Sequence, residues 1–313
     1  MAVEHVAYGI IIDDIMFPLG STQSGVLGGG GPQTAWGTAA ALGSGEKVGL
    51  VAGIGSDLEP HSLAPLRAAG INLDGVRVTE LPTPRAWQIV KPNGDRRHTW
   101  RVPVHTLSTQ LERGWNVLPP SYREARTFHW GIHPGDSEMD RTWARTLHDM
   151  GRLVSLETYI PPAQPLLESE LRSLFAVCTV FSPNWYEAVG MTRIADYKLL
   201  ILRFQALGCR ILALRRGEQG SDVWDFTLGK GVHVPAVRTQ VVDVVGAGNA
   251  FCGALLARLH EGIEEAACYA SAAASYLIEQ VGVPASLPDP ADFDRRVNEA
   301  RAGRKPMTLD ELR

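Results

Sequence analysis

The strongest constraint on the fold lies in residues 241–253, which read VVDVVGAGNAFCG. The valine-rich start predicts a strand, and a helical spacing of apolar residues begins at Ala250. A turn of small residues, Gly246-Ala247-Gly248, separates the two. The first amides of a helix have no intrahelical partner, and the helix dipole adds positive potential there. The stretch therefore predicts a strand–turn–helix unit with an anion site at the helix N-terminus.

Composition limits the classes of protein and of partner. The chain has 313 residues, 45% of them hydrophobic, which fits a globular protein with a substantial core. Its formal net charge is -4, and lysines and arginines are spread along the chain. This balance argues against a nucleic-acid partner and against an anionic membrane surface.

The cysteines and the N-terminus indicate the compartment. The four cysteines show neither a C-x-x-C pair nor a disulfide-framework spacing, and each has apolar neighbours, which predicts reduced thiols in a core. They are Cys178, Cys209, Cys252 and Cys268. The N-terminus lacks the features of a signal peptide, and no apolar stretch is long enough to cross a bilayer. We therefore expect a cytoplasmic protein without a membrane partner.

Strand and helix patterns alternate along nearly the whole chain, which predicts a mostly parallel sheet with helices on both faces. The predicted strands cover residues 3–12, 48–54, 126–130, 153–158, 177–182 and 210–214. Asp13 and Asp14 follow the first of them, where parallel sheets bind ligands. Period-two alternation over residues 76–104 predicts exposed antiparallel strands, with a hairpin turn at residues 91–95.

Residues 243–251 (DVVGAGNAF) resemble the C-terminal signature D-T-x-G-A-G-D-x-F of the ribokinase (PfkB) family of sugar and nucleoside kinases. In that family the Gly-Ala-Gly amides stabilise the transferring phosphoryl group, which implies this role for Gly246, Ala247 and Gly248. The family's final Asp takes the proton from the substrate hydroxyl. Asn249 stands in its place, and an amide is not a general base at ordinary pH.

Two further matches imply the acceptor site. Residues 28–35 (GGGGPQTA) resemble the family's G-G-x-x-x-N-x-A, in which the Gly pair and the Asn contact substrate hydroxyls. Gln33 replaces that Asn and reaches one methylene further. The spacing from Gly9 to Asp14 matches the family's sugar-binding Asp, although a strand-end Asp also caps turns. The resemblance thus implies that Asp14, Gly29 and Gln33 bind the acceptor.

The resemblance also implies a site for ATP and Mg²⁺. Asn184 and Glu187 match the family's N-x-x-E, which positions Mg²⁺ through water; the same spacing makes a helix capping box, and both can hold together. In the family's T-L-G-x-x-G the threonine is replaced by Arg215, which either pairs with phosphate or points outward. The implied nucleotide-binding residues are Asn184, Glu187, Arg215, Gly217, Gly220 and Asp243, with Mg²⁺ held through water by Glu187 and Asp243.

The resemblance implies a ribokinase-like three-layer α/β sandwich with a small β lid. Residues 1–313 form one domain in this interpretation, with lid segments at about 14–24 and 76–104, and the exposed lid strands suggest a homodimer. His129 and His133 have the spacing of helical metal ligands. Gly131 and Pro134 break any helix there and no third ligand is nearby in sequence, so the pattern does not favour a metal site.

Two functions remain open on the sequence. One is slow or unusual ATP-dependent phosphoryl transfer to a hydroxyl of a sugar, nucleoside or polyol, with Asn249 orienting the acceptor and Asp13 or Asp14 available as a relocated base. The alternative is an inactive pseudokinase that binds nucleotide or sugar as a regulator. The substitutions at Asn249, Gln33 and Arg215 fit either function.

Overall fold

The computed structural model describes residues 2–18, 20–90, 96–133, 138–159, 162 and 164–312. The predicted hairpin turn at 91–95 lies outside these residues. The strands are β1 (His5–Tyr8), β2 (Ile11–Met16), β3 (Thr22–Gly28), β4 (Val48–Gly55), β5 (Asn72–Thr79), β6 (Arg85–Val90), β7 (Arg96–Trp100), β8 (Thr127–Ile132), β9 (Leu153–Thr158), β10 (Val180–Phe181), β11 (Ile211–Arg215), β12 (Ser221–Asp225), β13 (Lys230–Val234) and β14 (Lys305–Thr308).

Ten helices lie within the same described ranges. They are α1 (Gly30–Leu42), α2 (Ala64–Ala68), α3 (Val104–Gln110), α4 (Glu138–Asp149), α5 (Glu168–Phe175), α6 (Trp185–Thr192), α7 (Tyr197–Ala206), α8 (Ala247–Arg258), α9 (Ile263–Leu277) and α10 (Pro290–Gly303). Among the described residues no helix has the length and apolar content needed to span a bilayer.

The main sheet has ten strands in the order β14-β13-β12-β11-β10-β9-β8-β1-β4-β5. Neighbouring strands are parallel from β5 to β11. The remaining pairs, from β11 to β14, are antiparallel. Because the carboxyl ends of the parallel strands share one edge, that edge is where an α/β sheet places a ligand site.

Two hydrophobic cores cover the two faces of the main sheet. One contains Trp36 of α1 and Phe251 of α8, together with residues of α9. The other contains Trp143 of α4, Leu174 of α5 and Phe204 of α7. Helices therefore pack on both faces, which confirms the predicted three-layer α/β fold.

A second sheet of four strands has the order β3-β2-β6-β7 and corresponds to the predicted β lid. Its bounds differ from the prediction. β5 was expected among exposed antiparallel strands, but it pairs in parallel with β4 at the edge of the main sheet. The prediction was wrong because a half-buried edge strand of a parallel sheet alternates in the same way as a lid strand.

The prediction of a single strand over residues 3–12 was also wrong. Gly9, with φ 88°, separates β1 in the main sheet from β2 in the small sheet. Asp13 and Asp14 consequently lie inside β2 and not beyond the end of a strand. An unbroken apolar run gave no sign of the change of sheet, which depends on the left-handed backbone that Gly9 permits.

The valine run before α8 is not a strand either. Val241, Val242 and Val244 are exposed, and the segment joins neither sheet. Backbone amides of Val242 and Asp243 instead donate to the carbonyl of Ile278, with N···O distances of 2.8 and 3.2 Å. The loop is thus fixed to the end of α9, and β-branched residues occur here without a neighbouring strand to pair with.

Candidate active site

The turn before α8 has the form that the sequence predicts for an anion site. Gly246 caps the helix with φ 86°, a left-handed conformation that favours glycine. The Asp243 carboxylate accepts a hydrogen bond from the amide of Val245 at 3.0 Å and so supports the turn. Gly248 and Asn249 in the first helical turn are partly exposed. The unpaired amides of this turn are therefore within reach of a ligand.

Helices α1 and α8 touch backbone to backbone near their N-terminal turns. A Cβ added at Gly37 would collide with the main chain of Ala250, and one added at Gly253 would collide with the carbonyl of Thr34. Because neither glycine carries a side chain, the helices approach closely. The glycine loop before α1 and the Gly246–Gly248 turn consequently lie side by side.

This contact brings two of the predicted functional residues together. Nδ2 of Asn249 donates to Oε1 of Gln33 at 2.5 Å. The Gln33 side chain is buried and lies directly over Gly246, where a Cβ would collide with it. The residue expected to bind the acceptor and the residue in the position of the family's base thus form one amide pair at the start of α8.

The predicted acceptor residue Asp14 lies on the small sheet. Its carboxylate accepts from the amide of Gly25 at 2.9 Å and forms an ion pair with Arg101. The Arg101 guanidinium lies 5.5 Å from the ring centroid of Trp87, which is partly exposed. Asp14 is therefore neutralised by a lid arginine in this structure.

Asp13 is in direct contact with the glycine loop. A Cβ added at Gly28 would collide with its carboxylate, which also accepts from Nε2 of Gln88 at 3.2 Å. The next glycine, Gly29, has φ 82° and packs against the backbone of Ile11. Asp14 was predicted to bind the acceptor because of its spacing from Gly9, whereas the alternation of β2 places Asp13 against this loop.

Arg215 points inward and not outward, and the other alternative left open by the sequence, pairing with phosphate, stays a prediction. Its Nη2 donates to the carbonyl of Ser182 at 2.6 Å and lies 3.1 Å from Oε2 of Glu157 and 3.6 Å from Oε2 of Glu187. Burial opposes the charge of Arg215, but the two carboxylates outweigh it and raise its pKa. A Cβ at Gly248 would collide with Nη1 of Arg215. The structure thus places a guanidinium against the anion site.

Asn184 and Glu187 form a reciprocal capping box at the start of α6. The backbone N–H of Asn184 donates to Oε2 of Glu187 at 2.7 Å. The backbone N–H of Glu187 donates to Oδ1 of Asn184 at 2.9 Å. Burial raises the pKa of Glu187, and the nearby Arg215 charge opposes that shift. The capping interpretation holds, and the same cap holds the Glu187 carboxylate beside Arg215.

Glu157 is a site residue that the sequence analysis missed. It lies near the carboxyl end of β9, is buried, and forms the shorter ion pair with Arg215. An acidic residue near the end of a predicted parallel strand was the available signal. Its partner Arg215 stands far away in sequence, and only the adjacency of their strands through β10 connects them.

Gly217 and Gly220 form the turn that joins β11 to β12. Their φ angles are 59° and 88°, and the Arg216 amide donates to the Gly220 carbonyl at 2.8 Å. A Cβ at Gly220 would collide with the carbonyl of Val234. These glycines therefore have a structural reason to be glycine, in the turn that directly follows Arg215.

Taken together, the site joins a helix N-terminus, a half-buried guanidinium and a pair of side-chain amides at one edge of a parallel sheet. Free amides and a positive charge suit a phosphate oxygen, and the amide pair suits hydroxyl groups. The fold and the chemistry of these residues are those of an α/β protein with donors suited to a phosphate group beside donors suited to a polar small molecule.

The family follows from comparison with known sequences. Residues 6–290 match the pfkB family carbohydrate kinases, so the chain belongs to the pfkB family. A segment of 128 residues is 34% identical to the Bifunctional protein HldE of Shigella dysenteriae and covers 40% of this chain and 24% of that protein. A segment of 166 residues is 26% identical to an uncharacterized protein of Schizosaccharomyces pombe, with 44% and 45% covered. The chain thus matches less than half of the length of either relative.

Solved structures show the same fold. Ribokinase II of Escherichia coli, in complex with ATP and Mg²⁺, has a TM-score of 0.73 at 17% identity, covering 96% of this chain and 100% of that one. Aminoimidazole riboside kinase of Salmonella enterica, complexed with aminoimidazole riboside and an ATP analogue, has 0.74 at 20%, covering 94% and 100%. Arabidopsis thaliana ribokinase, complexed with ribose and ATP, has 0.69 at 20%, covering 95% and 99%. The fold is therefore ribokinase-like.

Proposed function

We propose that this protein transfers a phosphoryl group from ATP to a hydroxyl of a sugar, nucleoside or related polyol, and that it does so slowly. The observation that carries the proposal is the Gln33–Asn249 amide pair beside the Gly246–Gly248 turn. In that arrangement an acceptor hydroxyl bound by the amides would lie next to a phosphate bound by the turn. Membership of the pfkB family supports the same reaction.

The acceptor would be held by Gln33, Gly29 and Asp14, with Asp13 in contact with the glycine loop. Asn249 would orient the reacting hydroxyl through its amide. It has no group that removes the proton at neutral pH, so the proton would leave to solvent or to one of the lid carboxylates. We include cytoplasmic location and the absence of a nucleic-acid partner in the proposal, on the chain's composition.

The phosphate end would be held by the first-turn amides of α8 from Gly246, Ala247 and Gly248. Arg215 already places its guanidinium against Gly248, so it would meet the terminal phosphate of the nucleotide. Gly217 and Gly220 would border the nucleotide through the turn that follows. Fixed donors of this kind stabilise charge that develops during phosphoryl transfer.

The residues present fit Mg²⁺, because the donors near Arg215 are hard oxygen ligands. Glu187 and Asp243 are buried carboxylates, and Asn184 holds Glu187 in place through the α6 cap. Glu187 and Asp243 would hold the ion through water, as Mg²⁺ prefers. When bound, the ion neutralises phosphate charge. The two carboxylates would hold it, and Arg215 balances the charge of Glu187 in its absence.

Whether activity is slow or absent depends on how much of the rate a general base would contribute. A positioned general base contributes on the order of 10²–10⁴ in rate. Positioning and charge stabilisation contribute most of the rate acceleration in phosphoryl transfer. Because the Gly246–Gly248 turn and Arg215 are in place, we expect a slow kinase to remain when the base is absent.

A second candidate function is a pseudokinase that binds nucleotide or sugar as a regulator. The observation that favours it is the direct hydrogen bond between Asn249 and Gln33, since each amide satisfies the other. An amide pair of this kind holds a binding pocket in shape without any need for catalysis.

The experiment that tests the proposal compares the natural protein with Asn249→Asp on a panel of sugars and nucleosides with Mg-ATP. Gln33 can present Nε2 to the new carboxylate by rotating its amide, so the substitution fits the site. We expect a gain in kcat of about 10²–10⁴. Asn298→Asp, an exposed position on α10, is the charge-matched control and leaves the rate unchanged.

The other outcomes separate the candidates. ATP binding by calorimetry with no turnover in either protein supports the pseudokinase. Equal turnover in both proteins shows that another group removes the proton. If neither binds ATP, both candidate functions are wrong.

A further inference from the structure

Three buried side chains of different chemistry meet behind the anion site. They are His129 of β8, Glu157 of β9 and Cys252 of α8, and one ligand atom from each lies within 4.8 Å of the others. All three are at most 4% exposed. The four-residue spacing of His129 and His133 does not contribute, because His133 packs against Tyr159 at a ring distance of 5.9 Å.

The register of the sheet explains why these residues meet. His129 pairs with Ser155, and Gly131 pairs with Glu157, so His129 and Glu157 lie on the same face of adjacent parallel strands. Gly131 has no side chain beside Glu157. Helix α8 packs over this face, and Cys252 descends from it to contact Glu157.

The distances suit tetrahedral coordination of a single ion. Nε2 of His129 lies 3.3 Å from Oε1 of Glu157, and Sγ of Cys252 lies 3.9 Å from Oε2 of Glu157. Ligands bound to Zn²⁺ at about 2.0–2.3 Å stand about 3.3–3.6 Å apart. Small side-chain movements therefore bring all three donors to one ion.

A hydrogen bond orients the histidine for this purpose. Nδ1 of His129 lies 2.9 Å from Oγ of Ser155, which is itself buried, and the contact directs Nε2 toward Glu157 and Cys252. Metal-binding histidines commonly fix their second nitrogen in this manner.

We propose that His129, Glu157 and Cys252 bind one Zn²⁺ ion, or a closely similar divalent transition metal. Imidazole, carboxylate and thiolate together suit Zn²⁺ and not Mg²⁺. As the metal–sulfur bond forms, the thiol proton passes to solvent. The site is separate from the Mg²⁺ proposed above, and its existence does not depend on kinase activity.

Arg215 does not exclude the ion by its charge. The thiolate, Glu157 and Glu187 contribute three negative charges, and Zn²⁺ with Arg215 contributes three positive charges. The buried group is then neutral, which a low-dielectric interior favours. Because Glu157 contacts Arg215 and Cys252 follows Gly248 by about one turn of α8, the ion would also brace the anion site from behind.

The test uses the full chain, stripped of metal by a chelator and titrated with Co²⁺ as a spectroscopic probe for Zn²⁺. We expect one Co²⁺ per chain and a thiolate-to-cobalt charge-transfer band in the near ultraviolet. Cys252→Ser should abolish the band. Cys268→Ser, a second buried cysteine on another helix, is the matched control and should retain it.

Two further measurements guard against misfolding and adventitious binding. Near-ultraviolet circular dichroism verifies that Cys252→Ser is folded, and His129→Gln should weaken Co²⁺ binding at least tenfold while His233→Gln does not. Zn²⁺ should raise the Tm of the natural protein and not that of Cys252→Ser. Absence of a thiolate band in the natural protein, or an unchanged band in Cys252→Ser, overturns the proposal and leaves a core thiol beside a His–Glu hydrogen bond.

Discussion

Arg215 shows how a single residue links the stability and the chemistry of this site. Its half-buried guanidinium lies between Glu157 and Glu187 and against Gly248 at the start of α8. Buried carboxylates are costly without a compensating charge. The same cation that balances them is presented to the place proposed for phosphate, so one side chain serves both purposes.

We expect Arg215→Met to lower the free energy of unfolding by about 3–5 kcal/mol, because it leaves buried carboxylates without their cation. Urea denaturation measures the loss. The control is Arg210→Met, at an exposed arginine that directly precedes β11. Adding Glu157→Gln to Arg215→Met should recover part of the loss. A drop of less than about 1 kcal/mol would show that the ion pairs are not coupled to folding.

The sequence alone located most of the candidate residues but not their contacts. Gln33 and Asn249 were found from motif positions, and the structure adds that they hydrogen-bond to each other. Asp13 was named only as a possible relocated base and Glu157 was not assigned a role, because the contacts of each depend on which face of a strand meets a distant element. Such contacts join residues far apart in the chain, and local patterns carry no information about them.

At the scale of elements, the crossing of α1 and α8 determines the site. The two helices carry the acceptor loop and the anion turn, and Gly37 and Gly253 let their backbones touch. Most residues of both helices are buried, so the pair forms part of the core and not a surface layer. The spacing of the two halves of the site is thus fixed by backbone contact.

Gly37→Ala should destabilise the protein by about 1–3 kcal/mol, because the added Cβ collides with the main chain of Ala250. Gly30→Ala, on the same helix, makes an ordinary contact at 3.8 Å and serves as the matched control. Thermal unfolding compares the two. If Gly37→Ala is as stable as Gly30→Ala, the helices have room to separate, and the contact does not set their spacing.

Element types were predicted better than their partners. β4, β8, β9 and β11 lie close to the predicted strands, and the alternation with helices was confirmed. The predictions failed where the pattern is shared by different structures. The valines before α8 have the composition of a strand but no strand beside them, and β5 alternates like a lid strand but pairs with β4.

At the scale of the whole molecule, His5 should make stability depend on pH. It begins β1, an interior strand of the main sheet, and Nδ1 is 2.8 Å from Oγ1 of Thr127. Burial lowers its pKa to about 4 from 6.5, with Glu4 opposing the shift. The unfolded chain therefore binds a proton more readily than the folded chain between these values.

The contribution of neutral His5 to the free energy of unfolding is complete above pH 6.5 and is lost as pH falls toward 4. We expect the natural protein to lose about 1–2 kcal/mol more than His5→Gln between pH 7 and pH 5. Denaturant titrations at both pH values measure the difference, with the exposed His61→Gln as control. Equal losses in the natural protein and His5→Gln would contradict the assignment.

The small sheet also bears on assembly, and we propose that two chains associate through it. Strands β3 and β7 are its edges, and the Trp87 side chain is 42% exposed. Unpaired edges and an exposed aromatic favour association. Sedimentation velocity should show a dimer that Trp87→Lys weakens and Tyr186→Lys, at an exposed aromatic outside the sheet, does not. A monomeric natural protein contradicts the proposal.

The touching backbones of α1 and α8 have a consequence for how molecules enter and leave. Two helices in contact along their main chains cannot move apart without breaking the core, so the distance between the proposed hydroxyl-binding and phosphate-binding positions should stay constant. Entry and release of ligands at the proposed site would then depend on the four-stranded lid sheet. Its strands β2 and β6 carry Asp13, Asp14 and Gln88. We therefore expect changes in the lid sheet to alter any turnover while the separation of α1 and α8 stays the same.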